Sequence, residues 1–371
     1  MTTKMKMKMY QPWGMAVMLL GILPLAHGQA STPIAPDDAR ITYAGYVHRE
    51  LVTPTDGADG KVMRFDRTID MAGRGYRWDN PGTSISFRTD APAIEAVLNY
   101  TDLHTSASAR NAVGVYSVDG VFKREWSFRT KQQGIARTPE KVVVNLTNGG
   151  VPGIHQYELF LPYGDSVDFA GLKVNAEAKF VPITDKRPRY VAYGDSITHG
   201  FTSSEVDKSY PFLIGKERGW EVINLGLGGR ASTPSDAALI VSLKPDVVTV
   251  LMGANDWQAG VPLEKYRANM TAFLTSLRTG LPETPVYLLT FLWVNSSWNP
   301  PAKVADLEAY RQVLREVVAA RNDPNFVVIE GPALIDEKPA LFDPVPVHPN
   351  DRGFAMMADR LGKQIKDVPK K

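Results

Sequence analysis

Tyr190-Val-Ala-Tyr-Gly-Asp-Ser-Ile-Thr-His-Gly200 is the stretch from which the rest of the chain can be read. Its apolar half, with alternating aromatics, has the composition of a strand, and it breaks at Gly194-Asp195-Ser196 into small polar residues that favour a tight turn. One hydroxyl therefore stands at the carboxyl end of a strand. In open α/β sheets ligands bind at that edge, because the strand-to-helix turns present side chains and free amides on a rigid base. Ser196 is a candidate nucleophile. It is also a candidate cap for a helix beginning near Ile197, since serine is among the favoured caps.

Downstream the pattern alternates. Segments 221–225, 246–251, 285–290 and 325–329 are strand-like, and segments 209–218, 235–243, 262–278 and 304–321 read as helices. In the last of these Leu307, Tyr310, Leu314, Val317 and Val318 recur at helical spacing. A closing helix is expected after Pro349, capped by Asn350 or Asp351. Such alternation predicts a three-layer α/β/α domain with a parallel sheet over 189–371.

Upstream the period differs. From about residue 40 to 179 come short β-branched and aromatic runs, such as 83–88, 93–100, 114–118 and 141–146. Turn signals separate them: Asn80-Pro81-Gly82, Asp119-Gly120, Asn148-Gly149-Gly150 and Pro162-Tyr163-Gly164. This pattern predicts an antiparallel β-sandwich of the jelly-roll kind over 37–180. Val118-Asp-Gly-Val121 is a two-residue hairpin signal. Residues 181–188, with two prolines in the wider 180–189 stretch, read as a short, stiff connector.

Residues 1–28 are set aside from the fold. Lys4, Lys6 and Lys8 precede an apolar run from Gly14 to Ala26, followed by small residues, which is the pattern of a secretory signal. The run is short for a membrane span, although a retained anchor is the alternative. A secreted or periplasmic location, with no membrane association after signal removal, is the expectation. The chain has no cysteine, so its stability in an oxidising compartment cannot come from disulfides. A net charge of +2 on scattered basic residues leaves no electrostatic footprint for nucleic acid.

The loops after the α/β strands carry the chemistry. After the first comes Gly194-Asp195-Ser196; after the second, Gly226-Leu-Gly-Gly-Arg-Ala231; after the third, Gly253-Ala-Asn-Asp-Trp257; and near the end stands Asp343-Pro-Val-Pro-Val-His348-Pro-Asn350. In a parallel sheet these converge on one edge. A hydroxyl, a glycine backbone, a carboxamide and an imidazole together are equipment for acyl transfer: the serine needs a base, and the tetrahedral oxyanion needs preorganised N–H donors.

These four blocks, in this order over the last half of the chain, resemble the SGNH hydrolases, also called GDSL-type esterases. The resemblance implies Ser196 as nucleophile, Gly229 (or Gly228, one residue earlier) and Asn255 as oxyanion donors, and His348 as base. One position departs from the family. Val345 stands where an aspartate usually precedes the histidine by three residues, and Asp343 lies five before His348. Either Asp343 completes a triad, or a Ser–His dyad works with a backbone carbonyl orienting the ring; the two-residue offset favours the dyad. A β-sandwich before such a domain, without the usual aspartate, further resembles the second family of carbohydrate esterases. That likeness implies an acetylated polysaccharide or another ester as substrate, with no cofactor and no metal.

Trp257, Trp293 and Trp298 are candidate platforms for a sugar ring, or simply aromatic packing. Asp195 and Asp256 are expected to brace turns, and His199 to be carried away from the Ser196 hydroxyl on the first helical turn. Arg230 is open between substrate contact and plain surface. His48, His104 and His155 show no metal-ligand spacing. Besides carbohydrate deacylation, a lipid or thioester hydrolase of the same fold and a silent glycan-binding protein remain as alternatives.

Overall fold

A computed structural model describes residues 31–54, 60–67, 79–103, 113–127, 140–162, 165–294, 301–342 and 347–369. Residues 1–28, expected to be a signal segment, lie outside the described residues. Among the described residues twelve strands come first: β1 (Ser31–Ile34), β2 (Thr42–Ala44), β3 (His48–Val52), β4 (Val62–Asp66), β5 (Ser84–Thr89), β6 (Ala93–Leu103), β7 (Val113–Val118), β8 (Val121–Ser127), β9 (Glu140–Thr147), β10 (His155–Phe160), β11 (Asp165–Asn175) and β12 (Phe180–Val181). They form two antiparallel sheets, ordered β3-β4-β11-β6-β9 with β1 on β11, and β12-β5-β10-β7-β8 with β2 on β5.

Alternation builds the sandwich. Ile94, Ala96, Leu98 and Tyr100 of β6 point inward, as do Ile85 and Phe87 of β5, because successive side chains leave opposite faces of a strand. Phe87 stacks on Tyr157 at 5.4 Å between ring centroids in this core. Asp119 and Gly120 both have positive φ, 51° and 76°, and join Val118 to Val121 in the two-residue hairpin that their sequence calls for. The sandwich begins earlier than residue 37. β1 adds to β11 by pairing alone, and its Ser-Thr-Pro-Ile sequence shows no alternation by which to find it.

The parallel sheet follows, built of β13 (Arg189–Gly194), β14 (Glu221–Gly226), β15 (Val247–Leu251), β16 (Val286–Leu289) and β17 (Phe326–Ile329) in the order β14-β13-β15-β16-β17. Every residue of β15 is buried, as expected of a strand covered on both faces. The helices are α1 (Ser196–His199), α2 (Tyr210–Arg218), α3 (Asp236–Ser242), α4 (Ala254–Gln258), α5 (Leu263–Gly280), α6 (Pro301–Ala319), α7 (Gly331–Leu334) and α8 (Asp351–Gly362). α5 packs with α3 and α6, while α8 packs with α2 and α7. Asn350 caps α8, its side chain accepting from the Arg352 and Gly353 amides. Among the described residues no helix is long and apolar enough to cross a membrane.

The two halves meet through side chains as well as through the chain. Val115 and Phe160 of the sandwich pack on Val206 and Phe212, with Phe160 edge-on to Phe212 at 4.8 Å. The connector is stiff because it is pinned. Arg187 pairs with Asp185 and reaches Glu158 at 3.1 Å, and the Thr42 hydroxyl donates to the Ile183 carbonyl.

Two glycines let α1 lie directly on the ends of β13 and β14. A Cβ on Gly194 would stand 2.1 Å from Thr198 Oγ1, and one on Gly226 would stand 2.0 Å from the His199 backbone nitrogen. The second clash is with backbone, so a side chain there must displace the helix. Gly226→Ala is expected to lower unfolding stability by about 1–3 kcal/mol, read as a shifted denaturant midpoint at unchanged slope; an unchanged midpoint contradicts the close approach.

Candidate active site

β13 ends at Gly194, and Asp195 rather than Ser196 caps the short helix that follows. The Asp195 carboxylate accepts from the Ile197 amide at 2.9 Å. This removes the capping role considered for the serine, whose hydroxyl at the first helical position is left for other work. Burial pushes the Asp195 carboxyl up to about 7 although backbone amides favour its charged form. Ser196 itself is half-buried, flanked by buried Asp195 and Ile197. Its Oγ lies 2.7 Å from His348 Nε2.

His348 is brought there from the far end of the domain by a loop tied to the segment after α1. The Thr202 hydroxyl donates to the Pro349 carbonyl at 2.7 Å, and the Ser204 amide and hydroxyl donate to Asp351 at 2.7 and 2.6 Å. The Phe201 ring packs on the imidazole at 4.6 Å between centroids. Sequence reasoning passed over Phe201, Thr202 and Ser204. The one local mark is the positive φ of Thr202, 76°, which a sequence does not display. Burial lowers the His348 pKa to about 4, so the ring is neutral near pH 7 and can accept a proton. Among the described residues its buried Nδ1 has no hydrogen-bond partner. Asp343, the candidate orienting carboxylate, lies outside the described residues.

The turn after β14 is closed by the Arg230 amide donating to the Leu227 carbonyl at 3.0 Å, with Gly229 at φ 79°. Positive φ at the third position of such a turn is what glycine supplies without strain. Gly228 is buried and Gly229 exposed, so of the two the latter's backbone borders open space. The Leu227 amide donates to the Gly194 carbonyl at 3.0 Å, tying this turn to the strand that carries the serine. On its other side the half-buried Asn255 donates one amide proton to the Arg230 carbonyl at 2.9 Å, which fixes the carboxamide and leaves its second proton available. Asp256 accepts from the Ser232 amide and hydroxyl at 2.9 and 2.6 Å, holding the following loop.

The aromatic candidates fare differently. Trp257 is 3% exposed and belongs to the core of the α/β domain, so it offers no face to a sugar. The reason is helical geometry: two residues along α4 from Asn255 is about 200° around the axis, which turns the indole inward when the carboxamide faces the cleft. Trp293 is half-buried against that core, with its ring 5.3 Å from Phe342. Trp298 lies outside the described residues. Arg230 neither reaches outward nor lies on the surface: it is 9% exposed and pairs with Asp236, which also accepts from the Tyr193 hydroxyl. His199 is fully buried at the end of α1. His155 pairs with Asp119 at 2.6 Å on the hairpin. Among the described residues no group of three or more His, Asp or Glu side chains is arranged to hold a metal ion.

A hydroxyl touching a neutral imidazole, beside an exposed glycine turn and a fixed carboxamide, can generate an alkoxide and hold a developing oxyanion. Residues 192–356 match the GDSL-like Lipase/Acylhydrolase family. Comparison with curated proteins finds no match. Among solved structures, a salicylyl-acyltransferase from a tetracycline biosynthetic pathway aligns at TM-score 0.75 and 22% identity, covering 91% of this chain and 99% of its own. A family two carbohydrate esterase from Clostridium thermocellum, solved with cellohexaose, aligns at TM-score 0.64 and 16% identity over 88% of this chain and 98% of its own. An acetyl xylan esterase from Butyrivibrio proteoclasticus gives 0.61 and 14%, covering 91% and 97%. The C-terminal part therefore has the SGNH fold, carries the match to the GDSL-like family over residues 192–356, and stands behind a β-sandwich in the architecture seen in the family two carbohydrate esterase structures.

Proposed function

We propose that the protein is a secreted or periplasmic serine esterase that removes acyl groups, O-acetyl above all, from carbohydrate through an acyl-enzyme. The observation that carries this reading is the 2.7 Å contact between Ser196 Oγ and His348 Nε2 at the strand edge where Gly229 and Asn255 also stand. His348 Nε2 takes the hydroxyl proton as Ser196 attacks the ester carbonyl. The tetrahedral oxyanion is held by the Ser196 and Gly229 amides and by the free Asn255 amide proton. The imidazolium then gives its proton to the departing sugar oxygen as the C–O bond breaks, leaving the sugar hydroxyl, and as base again the imidazole activates the water that releases the acid. The carbohydrate assignment leans on what the similar structures act on, and the export assignment on the first 28 residues. Trp293 remains a candidate sugar platform, with Trp298.

Release of acetate from acetylated xylan, mannan and peptidoglycan tests the substrate class. A deacetylase prefers acetate over octanoate p-nitrophenyl esters, and a strong preference for octanoate instead identifies a lipid or thioester hydrolase. On p-nitrophenyl acetate, Ser196→Ala is expected to lose roughly 10⁵- to 10⁶-fold in kcat and Asn255→Ala roughly 10²- to 10³-fold. Near-full activity of Ser196→Ala would sink the assignment, and affinity for glycan without any turnover would mark a silent binding protein.

The dyad is tested separately. It predicts that Asp343→Ala costs only a few-fold in kcat and that the acid limb of kcat/KM falls near pH 4, because burial alone acts on His348. A carboxylate facing Nδ1 stabilises the imidazolium and moves that limb up toward the ordinary histidine value near 6.5. A limb at that higher pH, together with a loss of orders of magnitude in Asp343→Ala, establishes the triad in place of the dyad.

A further inference from the structure

Arg67 follows β4 in the sandwich, yet its guanidinium acts in the other domain. It is 2% exposed. Nη2 donates to the carbonyl of Gly226, and Nη1 lies 3.2 Å from His199 Nε2 and donates to the Asp79 carbonyl at 3.3 Å. Arginine carries donors only, so His199 Nε2 is the acceptor in that contact. The Asp79 carboxylate, also from the sandwich, stands 3.8 Å from the same nitrogen.

The two acceptors are not ordinary interface groups. His199 is the last residue of α1, whose first residue is Ser196. Gly226 is the last residue of β14 and leads straight into the turn that ends at Gly229 and Arg230. One buried cation therefore grips both the helix that carries the hydroxyl and the strand end that aims the glycine amide. Asn224 makes a parallel tie from within the domain, donating to the Thr198 carbonyl at 2.8 Å and accepting from the Gly226 amide at 2.8 Å. A rigid planar fork is suited to fixing two acceptors at once in a way that a single ammonium is not.

We propose that Arg67 is a positioning residue for the reaction, so that the sandwich is a working part of the active site rather than an appended module. The proposal rests on the esterase reading. Arg67 does not touch substrate; it sets the distance between the Ser196 hydroxyl and the Gly229 amide. Misplacement on the scale of an ångström at a reacting centre can cost about a hundredfold in rate, and binding of a small ester hardly depends on it.

The test uses the full-length protein. Arg67→Met and Arg67→Lys are assayed on p-nitrophenyl acetate, with active sites counted by a fluorophosphonate label on Ser196 so that kcat refers to folded sites only. Arg67→Met is expected to lose roughly 10- to 100-fold in kcat per labelled site with KM changed less than about threefold, Arg67→Lys to recover part of it, and added methylguanidinium to restore activity to Arg67→Ala. A purely structural role gives fewer labelled sites at unchanged kcat per site, and that result overturns the proposal. Should the Arg67 variants yield no labelled sites, His199→Gln, which keeps an acceptor, is compared with His199→Leu, which does not; equal kcat per site overturns it. Ser196→Ala, run alongside, separates the two failures: if it stays active the esterase reading falls, whereas if it is dead while Arg67→Met is unimpaired only the positioning role falls.

Discussion

The edge that carries the candidate site depends on how closely one turn of helix lies on the ends of two strands. α1 is only four residues long and makes too few internal hydrogen bonds to persist alone. It is held by its Asp195 cap, by the absence of Cβ atoms at Gly194 and Gly226, and by the Asn224 tie to Thr198. Everything else at the edge is referenced to that turn. The loop after β14 hangs from Gly194 through Leu227, Asn255 hangs from the loop through Arg230, and the segment bearing His348 hangs from Thr202 and Ser204.

Burial is the second constraint, and it acts in opposite senses at successive stages of the proposed reaction. It keeps His348 neutral, the form that the proposed reaction needs to accept the serine proton. The same low polarity opposes the imidazolium that results. In the proposed reaction the compensation lies in the step itself, since an oxyanion formed beside the imidazolium puts positive and negative charge together in a poorly screened space. Asp195 does not supply that compensation. Its carboxyl is occupied by the helix terminus and is itself pushed toward neutrality by burial.

What could be read in the sequence was whatever is written locally. The Asp119-Gly120 hairpin, the strand ending at Gly194, the Asn350 cap and the five-strand alternation depend on residues a few positions apart. Each of the four blocks that point to Ser196, Gly229, Asn255 and His348 is local too, while the roles they imply belong to the proposed reaction. What was misread depends on direction or on distant partners. Trp257 was placed near the cleft by adjacency in sequence, whereas rotation along α4 sends it inward. Arg230 finds Asp236 by folding back, and β1 is a strand only because β11 offers it an edge. Arg67 sits 132 and 159 residues from its two acceptors in the α/β domain, a separation no local pattern spans.

That long reach has a kinetic corollary. Ser196 and His348 are 152 residues apart, and the imidazole comes from a loop just before α8. Contacts of such separation carry a large loop-closure cost and form late in folding. A chain still emerging from synthesis carries its serine long before it carries its histidine, and a truncated product that ends before His348 has the Ser196 hydroxyl without the imidazole it contacts.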